Sequence, residues 1–170
     1  MDPEVTEPMQ DEEAAGARTD NGSLLSRIRE RRAQLQEERH LDLDIPGYDG
    51  MLVARYRPLP WDEVKKIGEK VEKSKNPRKE LYAMADVLVR ACDSIWFRDP
   101  ETNELRPVQS GEPVRYDDRL AEALGFTADS ARQVLLATFN NDLAVTAHHM
   151  EAAEWMQASD VEVNEDLLGE

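Results

Sequence analysis

The sequence predicts a mainly α fold with a minor β component: a helical domain with one or two small β-hairpins, set between disordered acidic termini. Three observations carry that expectation. From Trp61 to Ile95 and again beyond Asp117, apolar residues recur at helical spacing. Between Leu41 and Arg57 they alternate instead with period two around a Pro-Gly turn. Charge, finally, gathers at the ends. Residues 1–20 hold seven acids against Arg18 alone, and residues 159–170 hold five acids and no base. These segments carry −6 and −5 of the net −15, leaving −4 for residues 21–158.

The expected organisation follows from composition shifts. Residues 1–22, "MDPEVTEPMQDEEAAGARTDNG", have almost no bulky apolar side chains, so burial could not offset ordering entropy and disorder is expected. Residues 23–40 form a charged helical arm. Ser23 is its expected cap, and Leu24, Ile28 and Leu35 make a thin stripe among Arg27, Arg29, Arg31, Arg32 and three glutamates. So thin a stripe needs something else to pack on. Residues 41–158 form the helical domain, and 159–170 an acidic tail.

Within the domain, the hairpin at 41–57 comes first. Pairing Asp42 with Arg55 sets Leu41, Leu43 and Ile45 beside Tyr56, Ala54 and Leu52 on one face. A one-residue slip would oppose apolar and charged side chains. Pro58 and Pro60 end the strand, because neither can donate a ladder hydrogen bond. A helix follows with Trp61, Val64, Ile67 and Val71 in line. A second spans roughly 78–94 on Leu81, Met84, Ala85, Leu88, Ala91 and Ile95, antiparallel to the first. A further small hairpin is expected around Asp99 to Asn103. Asp117 and Gly125 bracket a short helix, Thr127 is expected to cap another with Val134, Leu135 and Phe139 inward, and the last helix runs from Asp142 to Gln157.

Composition excludes several function classes. At 170 residues and 34% charged, the chain suits one domain with a large solvated surface. It lacks the clustered Lys and Arg of a nucleic-acid-binding face. No apolar run is long enough to span a bilayer, and the acidic start does not have the layout of a signal peptide. The single Cys92 precludes an internal disulfide and fits a reducing cytoplasm.

Signals for catalysis are equally thin. His148 and His149 are adjacent, so on a helix they diverge by about 100° and cannot share a metal. Cys92 ends an apolar helix, where a buried inert thiol is expected. No phosphate loop, serine elbow or dinucleotide fingerprint occurs. We therefore expect no catalytic residues, no cofactor and no metal. The last helix is more informative. Leu143, Ala147, Met150 and Ala153 share one stripe, and Val145, His149, Ala152 and Met156 another, with Trp155 beside it. Two stripes suit either a helix buried on both sides or one face for the core and a Met/Trp face for a partner.

An arginine-rich helix, then "LDLDIPGYDGMLVARYRPLPWDEVKKI", then "RKELYAMADVLVRACDSIW" resembles the tail assembly chaperones of long, flexible-tailed bacteriophages, especially those of actinobacterial hosts. "YDDRLAEALGF", "ARQVLLATF" and "EWM" extend the resemblance over residues 23–157, while the acidic N-terminus and the "HH" doublet have no counterpart. The resemblance implies a helical domain with a small β-element that acts without catalysis. Such proteins coat the helical, aggregation-prone tape-measure protein while the tail tube polymerises, and are absent from the finished virion. Many also exist in a longer form made by a programmed frameshift, and the resemblance implies that this chain would match the short form. The partners so implied are the tape-measure protein, a longer frameshifted form of the chain, and further copies of itself through the arm or the last helix, with no nucleic acid and no membrane. The host cell cytoplasm is the expected location. Candidate partner-binding residues are Leu24, Ile28, Tyr56, Trp61, Met150, Trp155 and Met156. The rival expectation is an acidic inhibitor that mimics nucleic acid and blocks a basic host protein.

Overall fold

A computed structural model describes the chain over residues 13–168, with side chains described over 22–158 except Gln36. The chain divides at Arg39/His40 into two units. In the first, helix α1 spans Glu13–Glu38. It starts ahead of Ser23, the expected cap, and most of the segment expected to be disordered lies outside the residues whose side chains are described. Helix growth gains one hydrogen bond per residue once a nucleus exists, and Ala14, Ala15, Ala17 and Arg18 are strong helix formers. Leu24, Leu25 and Ile28 are each 54% exposed on α1.

The second unit is built on a four-stranded antiparallel sheet in the order β1-β2-β3-β4. Its strands are β1 (Leu41–Asp44), β2 (Leu52–Tyr56), β3 (Cys92–Arg98) and β4 (Leu105–Pro107). The first hairpin has the expected register, with Asp42 opposite Arg55 and Leu43 opposite Ala54. Arg55 grips Asp42 with two hydrogen bonds of 2.8 and 2.9 Å, which holds the carboxyl of Asp42 below its ordinary range. The turn closes with Gly47 and Gly50 at φ of 92° and 77°, where a side chain would be strained.

The two hairpins are one sheet. β2 pairs with β3, setting Ala54 opposite Ile95 and Val53 opposite Trp96. That pairing corrects the second long helix. Helix α3 spans Lys79–Ala91, and the chain turns extended at Cys92. Ile95 lies four residues past Ala91, so it continues the helical stripe by spacing while belonging to a strand. Both Ser94 and Ile95 are buried, the mark of a strand covered on two faces.

Helix α2 (Trp61–Glu72) precedes α3. Glu63, near the start of α2, pairs with Arg90, near the end of α3, as an antiparallel arrangement requires. Helix α4 (Asp118–Leu124) begins under Asp117, whose carboxylate accepts from the amides of Arg119 and Leu120, and ends at Gly125 with φ 81°. Helix α5 (Ala131–Phe139) is capped by Ser130, accepting from Gln133 N–H, and not by Thr127. Helix α6 runs from Asp142 to Leu168, past the expected end at Gln157. It thereby extends through residues of the expected acidic tail.

The core unites the inner sheet face (Leu43, Ile45, Leu52, Ala54, Tyr56, Ile95) with Leu88 of α3, Leu120 of α4, Val134, Leu135 and Phe139 of α5, and Val145 and Ala152 of α6. Among the described residues no buried side-chain nitrogen or oxygen lacks a hydrogen-bond partner. None of the described helices is long and apolar enough to cross a membrane.

Candidate partner-binding surface

The residues with the most chemical potential are consumed by the core. The hydroxyls of Tyr56 and Tyr116 lie 2.7 Å apart, and the Tyr56 hydroxyl is 2.9 Å from Nε2 of His148. With Tyr116 donating to Tyr56, and Tyr56 donating to Nε2 of a neutral His148, each of these three atoms has a partner. Burial pushes the His148 pKa down to about 4 and raises both tyrosines well above their ordinary value. Phe139 meets the imidazole edge-on, with ring centroids 4.9 Å apart. Cys92 is buried nearby, and burial pushes its thiol up to about 12, where the nucleophilic thiolate is scarce. Among the described residues no group of three or more His, Cys, Asp or Glu is placed to hold a metal ion.

This cluster corrects two expectations. Tyr56 is fully buried, so it serves the core and is not part of the exposed surface. On α6 the inward stripe is Val145, His148, Ala152 and Met156, with His148 where His149 was expected. A spacing of three or four residues permits either histidine. The core takes His148 because Tyr56 offers its ring nitrogen a hydrogen bond.

The remaining apolar side chains define the surface. Trp61, the first residue of α2, is 73% exposed. Beside it runs a groove between α2 and α6 of about 210 Å³, lined by Leu59, Trp61, Val64, Val87, Ala153 and Met156, with His149 and Gln157 completing the wall. Met156 is nearly buried and forms part of the lining, while Trp155 is half-buried against the core and stands outside it. Three features create the groove. Pro58 and Pro60 carry the chain off the sheet straight into α2. Val64, Ile67 and Val71 are only half-buried. Ala153 is too small to fill the space facing α2.

The side of α6 opposite its buried stripe carries a second apolar strip. Leu143 is 80% exposed and Met150 64%, with exposed Ala147 between them. Helix α6 therefore buries one stripe and leaves Leu143, Ala147 and Met150 outward, while the Met/Trp face expected for a partner is not one surface, because Met156 is buried and Trp155 packs against the core. Of the candidate residues, Trp61 and Met156 share the groove, Met150 lies on the outer strip, and Leu24 and Ile28 are exposed on α1. Leu59, Val87 and Ala153 were not foreseen as lining residues. No signal in the sequence marked them: Leu59 and Val87 also pack in or against the core, and Ala153 is one small residue of an apolar stripe.

Among known proteins, no family model matches the chain, nor does any curated protein or solved structure.

Proposed function

We propose that this protein is a tail assembly chaperone of a long, flexible-tailed bacteriophage. It binds the tape-measure protein, keeps it soluble in the host cytoplasm while the tail tube grows, and leaves before the virion is complete. It does so by contact alone, without catalysis. The observation that carries this reading is the groove floored by Met156 and overhung by the exposed Trp61. An amphipathic helix is recognised by laying its apolar face into such a groove, with a large aromatic as anchor and a flexible methionine that adapts to varied side chains. Covering one tryptophan contributes roughly 2 kcal/mol. A single contact is therefore weak, and many copies spaced along a long helical partner would hold it together. The acid-rich sequence would keep the loaded complex soluble. The sequence resemblance supplies the identity of the partner.

Co-expression with the tape-measure protein tests the proposal. The wild-type chain should carry the tape-measure protein into the soluble fraction. Trp61→Asp should lose that capacity while retaining its helical circular-dichroism signal. Unchanged solubilisation by the variant would remove the groove from the mechanism. Recovery of the chain from purified virions, or loss of activity only when the acidic ends are deleted, would point to a structural component or to a nucleic-acid mimic.

A further inference from the structure

We propose that the lysine-rich edge of α2 is a second binding surface, which takes a short acidic segment of a partner protein, bearing apolar side chains, in the cleft between α2 and α3. This surface shares no lining residue with the groove beside Trp61 and goes beyond the function proposed for that groove. Residues 65–79 hold all six lysines of the chain and Arg78 against Glu69 and Glu72, a net +5 where the remaining residues sum to −20. Five of the lysines are exposed and Lys79 is half-buried. No lysine has a hydrogen-bond or ion-pair partner among the described residues, whereas Arg78, Arg90 and Arg132 are each paired with a carboxylate. The dipole of α2 favours cations near its end, which accounts for Lys70 and Lys73. It does not account for Lys65 and Lys66 in the second turn, nor for Lys79, which opens α3 where a cation is disfavoured.

The cleft gives this charge a shape. It holds about 450 Å³, with half-buried Ile67 and Val89 as its apolar part and Lys66 and Lys70 one turn apart on its α2 wall. Its own carboxylates are engaged elsewhere. Glu63 accepts from Arg90 at 3.0 Å, and Asp86 accepts from Arg132 at 2.6 and 2.7 Å. Lys66 and Lys70 are left to repel each other until an anion is placed between them.

The surroundings select the occupant. The lining offers no unpaired arginine fork for a phosphate and no aromatic ring for a base. Acids also hem the lysines in, with Asp62 and Glu63 before them and Glu80 and Asp86 after. Lys65 to Lys73 span only about 12 Å of helix, so a nucleic acid or an anionic membrane would run past the patch onto those acids. A short peptide reaches the lysines with its carboxylates and covers Ile67 and Val89 with an apolar side chain. Helix α1 supplies no such complement, because over Glu13–Glu38 its five acids are balanced by five arginines.

Fluorescence anisotropy of a labelled peptide of alternating glutamate and leucine, titrated with the full chain, tests this. A peptide with glutamine in place of glutamate is the control. The acidic peptide should bind, less tightly as salt rises, and the control should bind more weakly by about tenfold or more. Lys66→Glu/Lys70→Glu should weaken the acidic peptide about tenfold with the circular-dichroism spectrum retained. Arg29→Glu/Arg32→Glu, an equal change of net charge on α1, should leave its affinity within about twofold. Equal affinity for the two peptides overturns the proposal, as does an equal loss in the α1 variant. So does tighter binding of single-stranded DNA or of phosphatidylserine vesicles than of the acidic peptide. Self-association of the wild-type chain that the Lys66/Lys70 reversal abolishes, read by sedimentation velocity, also overturns it, because the cleft would then hold the acidic end of another copy.

Discussion

Helices α2 and α3 are neighbours of nearly equal length, 12 and 13 residues, and both are amphipathic, yet they meet different fates. Helix α3 buries Ala85, Val87, Leu88 and Ala91. Helix α2 buries no residue fully, has no side-chain cap at Pro60, and presents Trp61 to solvent. An apolar stripe states that a helix needs a surface, and the rest of the molecule determines how much surface it receives. Helix α3 lies in the cluster that joins sheet, α5 and α6, whereas α2 leans on the outside of α3. The body thus has a rigid interior helix and a lightly held peripheral one, and the candidate groove runs along the second. Binding sites draw on elements of low local stability for this reason.

Truncation should expose the contrast most strongly. Leu88→Ala in α3 should cost about 3 kcal/mol of unfolding free energy, because a fully buried leucine leaves a cavity. Val64→Ala in α2 should cost under about 1 kcal/mol, and equal losses in urea denaturation would erase the distinction.

Acid sharpens the same contrast from the core side. His148 is neutral and buried when folded, with a pKa of about 4 against an ordinary 6.5, so the unfolded chain binds the extra proton between those values. The associated stability is complete above pH 6.5 and falls by about 3 kcal/mol as pH drops to 4. Asp42 and Asp117, held below their ordinary 3.8, add a further loss only below that value. His148→Gln should flatten the upper part of this profile in thermal melts from pH 7 to about 4.

Capping gives a smaller effect. Asp117→Ala removes the acceptor for two amides of α4 and should cost about 1 kcal/mol, read as a lowered melting temperature. The smallest change is expected at Trp61→Ser, which should alter stability by no more than about 0.5 kcal/mol while, on the proposed function, abolishing solubilisation of the tape-measure protein. Amide hydrogen exchange should meanwhile find α2 less protected than α3. Comparable protection in the two helices would mean that the peripheral position of α2 carries no dynamic consequence.

Much of this molecule was legible one segment at a time. The alternation around Asp42 and Arg55 set the first hairpin in register, and Asp117 with Gly125 bounded α4. Of the surface, Trp61 was identifiable as a large aromatic in the first turn of a helix, while its degree of exposure was not. The misplacements share a cause. Ile95 fits a helical stripe and a strand face equally well, Thr127 and Ser130 are both competent caps, and His148 and His149 differ by one step on the same helix. Each was an ambiguity among near neighbours that local preference could not resolve.

What the sequence determined alone is what short-range physics governs: the mainly α character, the first register, the turns that need glycine and the concentration of acid at both ends. Tertiary structure decided the joining of β2 to β3, the Tyr116–Tyr56–His148 chain, and which helix was left with an uncovered face. Those outcomes depend on groups far apart in the chain competing for one interior. Hydrogen-bond satisfaction and close packing settle that competition collectively, and no single segment records the result.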